Sequence, residues 1–205
     1  MPCTGDADET CGSAYRLNAY GPSFQPITAN HVVFEHATVH PWFQVNIDLN
    51  LADNIHTDLS NIYGIMVKDS IWPNIGSQIP AVFIQPESMQ LEVCMFLDGE
   101  SLCKEINIAT ADTWFNLWIE QTCWIECQVS VYVDGVLEFY WLNSSPETFY
   151  DVKGVIGNTY NQEDIVAASG KYYDFTLDQS EDGTDLTWLT TADHDSTGAA
   201  NYVAS

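Results

Sequence analysis

The sequence predicts an all-β fold, a two-sheet antiparallel sandwich of the jelly-roll type. Nearly every apolar stretch alternates with polar residues at a period of two, as strands with one buried face do. Turn-forming pairs such as Asp98-Gly99 and Asp134-Gly135 separate these stretches. No stretch has the periodicity of an amphipathic helix, and about a dozen short strands joined by tight turns are typical of sandwiches and jelly rolls.

The strands are predicted one after another from the alternation and the turns between them. In the stretch 42–51, three apolar residues face one way and three polar residues the other: Val45, Ile47 and Leu49 against Gln44, Asn46 and Asp48. The full set of predicted strands is 31–39, 42–51, 61–70, 80–85, 91–97, 101–108, 113–121, 128–134, 136–142, 151–158 and 171–177.

The stretch LEVCMFLDGESLC, residues 91–103, predicts a disulfide-closed hairpin. If Asp98 and Gly99 are the central residues of a type I′ turn, the register places Cys94 directly opposite Cys103. Counting outward from the turn makes this a non-hydrogen-bonded pair, whose Cα atoms lie about 4.5 Å apart, within the range of a disulfide.

The spacing of the six cysteines favours three local bridges. Cys123 and Cys127 flank a three-residue connection between two predicted strands, and Cys3 with Cys11 is left by elimination. A zinc site is the alternative, but these spacings match no finger or ribbon pattern. Disulfides imply an oxidising compartment, so we expect a secreted, extracellular protein.

Length and charge restrict the domain organisation and the partners. The chain has 205 residues, of which 46% are hydrophobic, which suits one domain. We expect a disulfide-closed N-terminal extension at 1–24, the jelly roll at 25–178 and an acidic C-terminal extension at 179–205.

With 29 Asp and Glu against 5 Lys and Arg, the formal net charge is −24, which disfavours nucleic acids and anionic membrane surfaces as partners. No apolar run approaches the ~20 residues of a membrane span.

Several of these stretches together resemble the concanavalin A-like jelly rolls of extracellular animal proteins, which include laminin G-like and pentraxin-like domains. The resemblance covers roughly residues 31–177 and rests on the strand start GSQIPA, the cysteine-closed hairpin, TWFNLWIEQ, the VYVDGVL turn, FYDVKGVIGNTY and YYDFTL. It implies a non-catalytic module for recognition, adhesion or matrix assembly, often calcium-assisted and often directed at glycans or proteins. No calcium site of those families maps onto this chain residue by residue, and the Glu-x-Asp-x-Glu motif of the glucanases with this fold is absent.

The central hairpins carry apolar residues on both faces. The predicted registers place Leu117 and Ile119 on one face, with Trp114 and Trp118 on the other. Trp118 faces Tyr132 there, and Leu137, Phe139 and Trp141 follow on the same face. A sandwich buries one face of each sheet, so the chain's own loops, another subunit or a ligand must cover this second aromatic face.

A second candidate contact is the tip of the Cys123–Cys127 loop. Trp124 and Ile125 stand there, and a rigid exposed aromatic ring loses little conformational entropy on docking. The alternative is that the loop folds back onto the sheet.

Two further kinds of site are suggested by short motifs. Asp178, Ser180 and Asp182 alternate before Gly183 as in the first half of a calcium loop, but Leu189 stands where a bidentate Glu is required, so an EF-hand is excluded. Asp6 and Asp8 form a similar acidic pair. Asn143-Ser144-Ser145 is an N-glycosylation acceptor, although Pro146 follows it.

The sequence therefore predicts a non-catalytic extracellular recognition or adhesion module that binds a protein or a glycan, with calcium as the only cofactor considered. A self-assembling structural subunit of a matrix or filament, as a homo-oligomer, is the alternative. A glycoside-active enzyme comes third, because no spacing of carboxylates or other catalytic motif supports one.

Overall fold

The computed structural model describes residues 10–11, 14–18, 24–53, 57–70, 78–107, 111–160, 162 and 164–180. In this part of the chain every regular element is a β-strand, and no helix could cross a membrane. The strands form two packed sheets, and the predicted all-β sandwich is confirmed.

The first sheet contains eight strands in the order β1-β2-β15-β5-β10-β11-β12, with β3 paired to β15 beside this path. Its strands are β1 (Thr10–Cys11), β2 (Ala14–Asn18), β3 (Gln25–Pro26), β5 (Trp42–Leu51), β10 (Trp114–Cys123), β11 (Cys127–Val133), β12 (Val136–Asn143) and β15 (Gly170–Ser180). β2 and β3 were not predicted as strands, and both complete the sheet by pairing with β15.

The second sheet contains seven strands in the order β4-β13-β6-β7-β8-β9, with a short parallel partner, β14, on β6. Its strands are β4 (His31–Val39), β6 (Leu59–Val67), β7 (Ala81–Ile84), β8 (Gln90–Leu97), β9 (Glu100–Asn107), β13 (Phe149–Ile156) and β14 (Ile165–Ala167). All other described pairings in both sheets are antiparallel.

The main core lies between the two sheets and is built by the predicted alternation. Val45, Ile47 and Leu49 of β5 are each 0% exposed and belong to this cluster. Leu91 and Val93 of β8 join it from the second sheet. Burying one face of each strand in this way is what fixes the register of the remaining side chains.

Both described disulfides are where the sequence predicts them. Asp98 and Gly99 have φ angles of 51° and 84°, as a type I′ turn requires. Cys94 then pairs with Cys103 and bridges it, with Cα atoms 4.1 Å apart. Cys123 and Cys127 are bridged across their three-residue connection. The predicted Cys3–Cys11 bridge lies outside the described residues.

The second Asp-Gly hairpin, β11–β12, departs from the predicted register near its turn. The pairs Val133–Val136 and Tyr132–Leu137 form as expected, but Val131 then pairs with Phe139. Glu138 is therefore the extra residue of a β-bulge, which shifts every later residue of β12 by one position.

The bulge makes one prediction wrong: Phe139 and Trp141 do not lie on the outer aromatic face. They lie on the core face, where Phe139 is 6% exposed and its ring centroid is 4.7 Å from that of Trp141. Tyr140 and Leu142 take the outer positions instead and are each 54% exposed.

A smaller second core covers part of the outer side of the second sheet. The segment that follows β13 packs there, so that Met66, Phe83 and Tyr160 belong to one buried cluster. The backbone N–H of Asn158 donates to Asn61 Oδ1 at 2.7 Å and anchors the segment. The chain's own residues thus occupy much of this outer face.

Candidate functional site

The candidate site is the outer face of the first sheet, at its centre on β5, β10 and β11. The pairing registers place Trp118 opposite Tyr132 on β11 and opposite Asn46 on β5, as the sequence predicts for the two rings. The ring centroids of Trp118 and Tyr132 lie 5.0 Å apart with an interplanar angle of 31°. Both side chains are partly exposed, so they form a small aromatic platform on the surface.

A row of polar side chains borders this platform. Asn116, two residues before Trp118, donates from Nδ2 to Asn46 Oδ1 at 2.6 Å and to Asp48 Oδ1 at 2.9 Å. Its backbone N–H donates to Asp134 Oδ1 at 2.9 Å, which ties the second Asp-Gly turn to β10. The row is therefore held rigidly beside the rings.

Glu120 stands on the other side of the platform. The Tyr132 hydroxyl donates to Glu120 Oε1 at 3.1 Å. Burial raises the pKa of the Glu120 carboxyl, and the hydrogen bond from Tyr132 opposes that change. Burial and the neighbouring carboxylate likewise raise the pKa of Tyr132. This edge of the platform is thus acidic and accepts hydrogen bonds.

The chain covers one end of the predicted aromatic face itself. Phe24 packs against Trp114 with ring centroids 4.7 Å apart, and against Tyr173 of β15 at 5.3 Å. Trp114, a predicted binding residue, is therefore part of an internal aromatic contact, whereas the Trp118–Tyr132 pair lies further along β10.

The tip of the Cys123–Cys127 loop points into solvent. Trp124 is 76% exposed and Ile125 is 99% exposed, so the alternative in which this loop folds back onto the sheet does not hold for these side chains. The disulfide closes the loop at its base.

The residues predicted to start a calcium loop lie in a strand. Asp178 and Ser180 belong to β15, pair with Gln44 and Trp42 of β5, and are 1% and 0% exposed. Gln44 Nε2 donates to Asp178 Oδ2 at 3.3 Å. The extended backbone through Ser180 therefore places Asp178 and Ser180 in a strand instead of the predicted loop. Asp182, Asp6 and Asp8 lie outside the described residues.

The predicted glycan acceptor, Asn143, is buried. Its side chain is 5% exposed, and its Nδ2 donates to Gln121 Oε1 at 2.8 Å. Gln121 Nε2 in turn donates to the Pro41 carbonyl at 2.7 Å. A glycan on Asn143 would be attached to this same nitrogen, and the buried side chain would have to move to the surface to make room for the sugar.

The same end of the sandwich is closed by a second glutamine. Gln179 is 0% exposed, and its Oε1 accepts the His40 N–H at 3.0 Å. Gln121 and Gln179 thus hold the His40–Pro41 turn by one hydrogen bond each. The cavity beneath, next to Asp98, has a volume of ≈10 Å³, room for about one water molecule.

Among the described residues, one group of metal-ligating types is close enough to converge: Glu92, Cys94 and Cys103, with ligand atoms within 4.8 Å of one another. The two sulfurs are joined in a disulfide, and only a thiolate is a good metal ligand. This group therefore does not provide a metal site.

No protein-family model and no curated protein matches the sequence. Solved structures do match. The protein is similar to a native heptameric SAP-like pentraxin from Limulus polyphemus, with a TM-score of 0.51 and 12% identity over 80% of this chain and 75% of that one. The fold is a jelly-roll sandwich.

Two other solved structures also match the chain. The ligand-binding domain of botulinum neurotoxin serotype D, in complex with N-acetylneuraminic acid, has a TM-score of 0.50 and 10% identity over 90% of this chain and 44% of that one. An endo-β-1,4-glucuronan lyase from the fungus Trichoderma reesei has a TM-score of 0.47 and 10% identity, covering 84% and 83% of the two chains. At such identities the likeness concerns the fold, since unrelated functions share it.

Sequence reasoning missed the polar row beside the platform. The signal was present, because the alternation in β5 places Asn46 and Asp48 on the face opposite the core, and Asn116 precedes Trp118 by two residues. What the sequence could not supply was the lateral register of β5 against β10, which sets Asn116 opposite Asp48.

Proposed function

We propose that the protein is a non-catalytic extracellular recognition module that binds a glycan on the outer face of its first sheet. The observation that carries this proposal is the Trp118–Tyr132 platform, 5.0 Å between centroids, next to the hydrogen-bonded row on β5 and β10. Aromatic rings pack against the C–H faces of sugars, while fixed amides and carboxylates bind hydroxyl groups.

The charge of the chain selects the class of glycan. Asp48 and Glu120 flank the platform, and the formal net charge is −24. A sialylated or uronic acid chain would be repelled by this face, whereas the hydroxyl groups of a neutral saccharide would donate hydrogen bonds to the two carboxylates. The proposed ligand is therefore a neutral glycan.

The test is a glycan array that contains neutral and acidic saccharides, followed by titration calorimetry on the best ligand. Trp118→Ala is expected to lower the affinity about fivefold or more, because a stacked ring contributes on the order of 1 kcal/mol. Trp118→Phe keeps a ring at the same position and is expected to retain part of the affinity.

Tyr150→Ala is the matched control, because Tyr150 is a 68% exposed aromatic residue on β13 of the other sheet. Equal binding by the Trp118→Ala variant, or selective binding of acidic saccharides, would contradict the proposal. Repeating the titration with a chelator tests the calcium dependence, which stays a prediction.

A protein partner is the second candidate, and it is favoured by the exposed Trp124–Ile125 tip. Apolar side chains on a closed loop are suited to a protein interface, since little freedom is lost on docking. Self-assembly is the further alternative. It predicts that light scattering detects oligomers and that Ile125→Ser reduces their amount.

The laminin G-like and pentraxin-like variety of the fold, and an extracellular location, belong to the same proposal. They are supported by the jelly-roll architecture and the two bridged hairpins. Turnover of a saccharide that is lost with Glu120→Gln would instead favour an enzyme.

A further inference from the structure

The free edges of the two sheets differ in their protection against pairing with another chain. An edge strand exposes unpaired backbone groups, and natural proteins block it with charges or bulges. In the second sheet, the β4 edge is irregular against β13 and presents Glu35 and His36, both exposed. The β9 edge presents Glu100, Lys104 and Glu105. Both edges are therefore protected.

β12, one of the two edges of the first sheet, lacks this protection over most of its length. It has eight residues, of which Glu138 alone is charged, and Glu138 stands at the bulge near the turn. Beyond the bulge the strand is regular against β11. The outer side chains of Leu137, Tyr140 and Leu142 are 47%, 54% and 54% exposed. No described strand pairs with the other side of β12.

The backbone groups of Tyr140 and Leu142 point to this free side. Val133 and Val136 flank the type I′ turn and so form a hydrogen-bonded pair. Beyond the bulge, Phe139 and Trp141 of β12 occupy the next hydrogen-bonded positions. The residues between them direct their N–H and C=O groups away from β11. Two outward N–H groups and two outward carbonyls are thus aligned for a further strand.

The surroundings of this edge are acidic. Glu138 is exposed on β12 itself, and Glu126 and Asp134 are exposed at its two ends. β9 of the second sheet comes close at one point, where the Lys104 ammonium lies 4.7 Å from the centroid of the Phe139 ring. The same strand carries the exposed Glu100 and Glu105.

We propose that the free edge of β12 binds an extended segment of a basic partner protein, which adds to the first sheet as an antiparallel or parallel strand. Main-chain hydrogen bonds would give affinity, and lysine or arginine side chains would meet the surrounding carboxylates. A second copy of this chain fits less well, because pairing β12 with itself would bring together two chains of formal charge −24. This surface is distinct from the Trp118–Tyr132 platform, so the proposal goes beyond glycan binding.

The test uses the full chain and a short fluorescent peptide that alternates lysine with valine, with binding followed by fluorescence anisotropy. We expect binding that weakens as salt is added. The same peptide with a central proline, and its glutamate counterpart, are expected not to bind. Leu142→Pro removes one outward N–H and is expected to lower the affinity at least about tenfold. Leu142→Val keeps that N–H and is expected to bind normally.

If Leu142→Pro does not fold, Leu142→Lys serves instead, because it repels the basic peptide while keeping the backbone. Binding that survives both the Pro and the Lys variant, or no binding at all, overturns the proposal. Slow hydrogen exchange at Tyr140 and Leu142 in the free monomer also overturns it, since a segment of the chain itself would then cover the edge. A dimer that strengthens with salt would identify a second copy as the occupant.

Discussion

The β8–β9 and β11–β12 hairpins begin with the same Asp-Gly turn but continue with different registers. In both turns the Asp and the Gly have positive φ, at 51° and 84° in the first and 49° and 75° in the second. The first hairpin then pairs without interruption from Leu97–Glu100 to Gln90–Asn107. The second is shifted by the bulge at Glu138. A turn type thus fixes the register only for the nearest pairs.

The difference follows from what the two hairpins bury. The regular ladder of β8–β9 places Leu91 and Val93 in the core and Cys94 in its bridge. A regular ladder in β11–β12 would place Tyr140 in the core and leave Phe139 and Trp141 on the surface. The bulge exchanges them, which buries the purely apolar ring and exposes the hydroxyl-bearing one. Burial therefore outweighs the regularity of the ladder.

Replacing Phe139 gives the largest expected effect. Phe139→Ala should lower the free energy of unfolding by about 3–5 kcal/mol, since it leaves a cavity where a buried ring packs against Trp141. Tyr140→Ala, the next residue, is the matched control and should change it by about 0.5 kcal/mol or less. Urea denaturation of both variants checks this. A large loss of stability in Tyr140→Ala with little loss in Phe139→Ala would instead indicate the regular register without the bulge.

Removing the disulfides gives the next largest effect. Replacing Cys94 and Cys103 together by Ala should destabilise the protein by about 2–3 kcal/mol, and replacing Cys123 and Cys127 by about 2 kcal/mol, because the second bridge closes a shorter loop. The sequence separations are 9 and 4. Urea denaturation of the two double variants shows which bridge contributes more to stability. A larger loss for the shorter loop would show that packing around the buried Cys127, rather than chain entropy, determines the effect.

A carboxylate pair in the β8–β9 ladder gives the smallest effect. Glu92 lies directly opposite Glu105. Burial, and secondly the charge of Glu105, raises the pKa of Glu92 above its ordinary value. The protonated form is therefore favoured in the folded state, so this group's stabilising contribution is complete below the ordinary glutamate pKa and is lost as pH rises through the folded pKa.

Glu92→Gln should accordingly raise the stability at neutral pH by about 0.5 kcal/mol, and it should flatten the decline with increasing pH. Glu100→Gln is the control, because Glu100 faces Leu97 in the same hairpin. Thermal denaturation of both variants, from below the ordinary glutamate pKa to neutral pH, measures these effects. A stabilising Glu100→Gln of equal size would point to net charge rather than to the facing pair. Asp98 acts in the opposite sense, since hydrogen bonds from Ser144 lower its pKa.

The sequence predicted the features that depend on neighbouring residues. Alternation located the long strands, and the Asp98-Gly99 turn located the Cys94–Cys103 bridge. It also placed Trp118 opposite Tyr132, because three residues separate Cys123 from Cys127. Local geometry was sufficient in each case.

Features that depend on distant packing were not predictable. The bulge at Glu138 and the register shift in β15 near Asp174, whose φ is 53°, are both selected by which rings reach the core. Gln121 and Gln179 resemble ordinary polar positions in the sequence, yet each is buried against the His40–Pro41 turn. β2 and β14 are short, and each is defined by the strand with which it pairs.

Both described bridges join cysteines that already face each other within a single hairpin. Each sulfur pair can therefore be oxidised as soon as its own ribbon has formed, before the two layers assemble. Early closure leaves fewer thiols for incorrect partners, so scrambled isomers should be rare during oxidative refolding. Recovery of the native form should then depend little on an added disulfide isomerase.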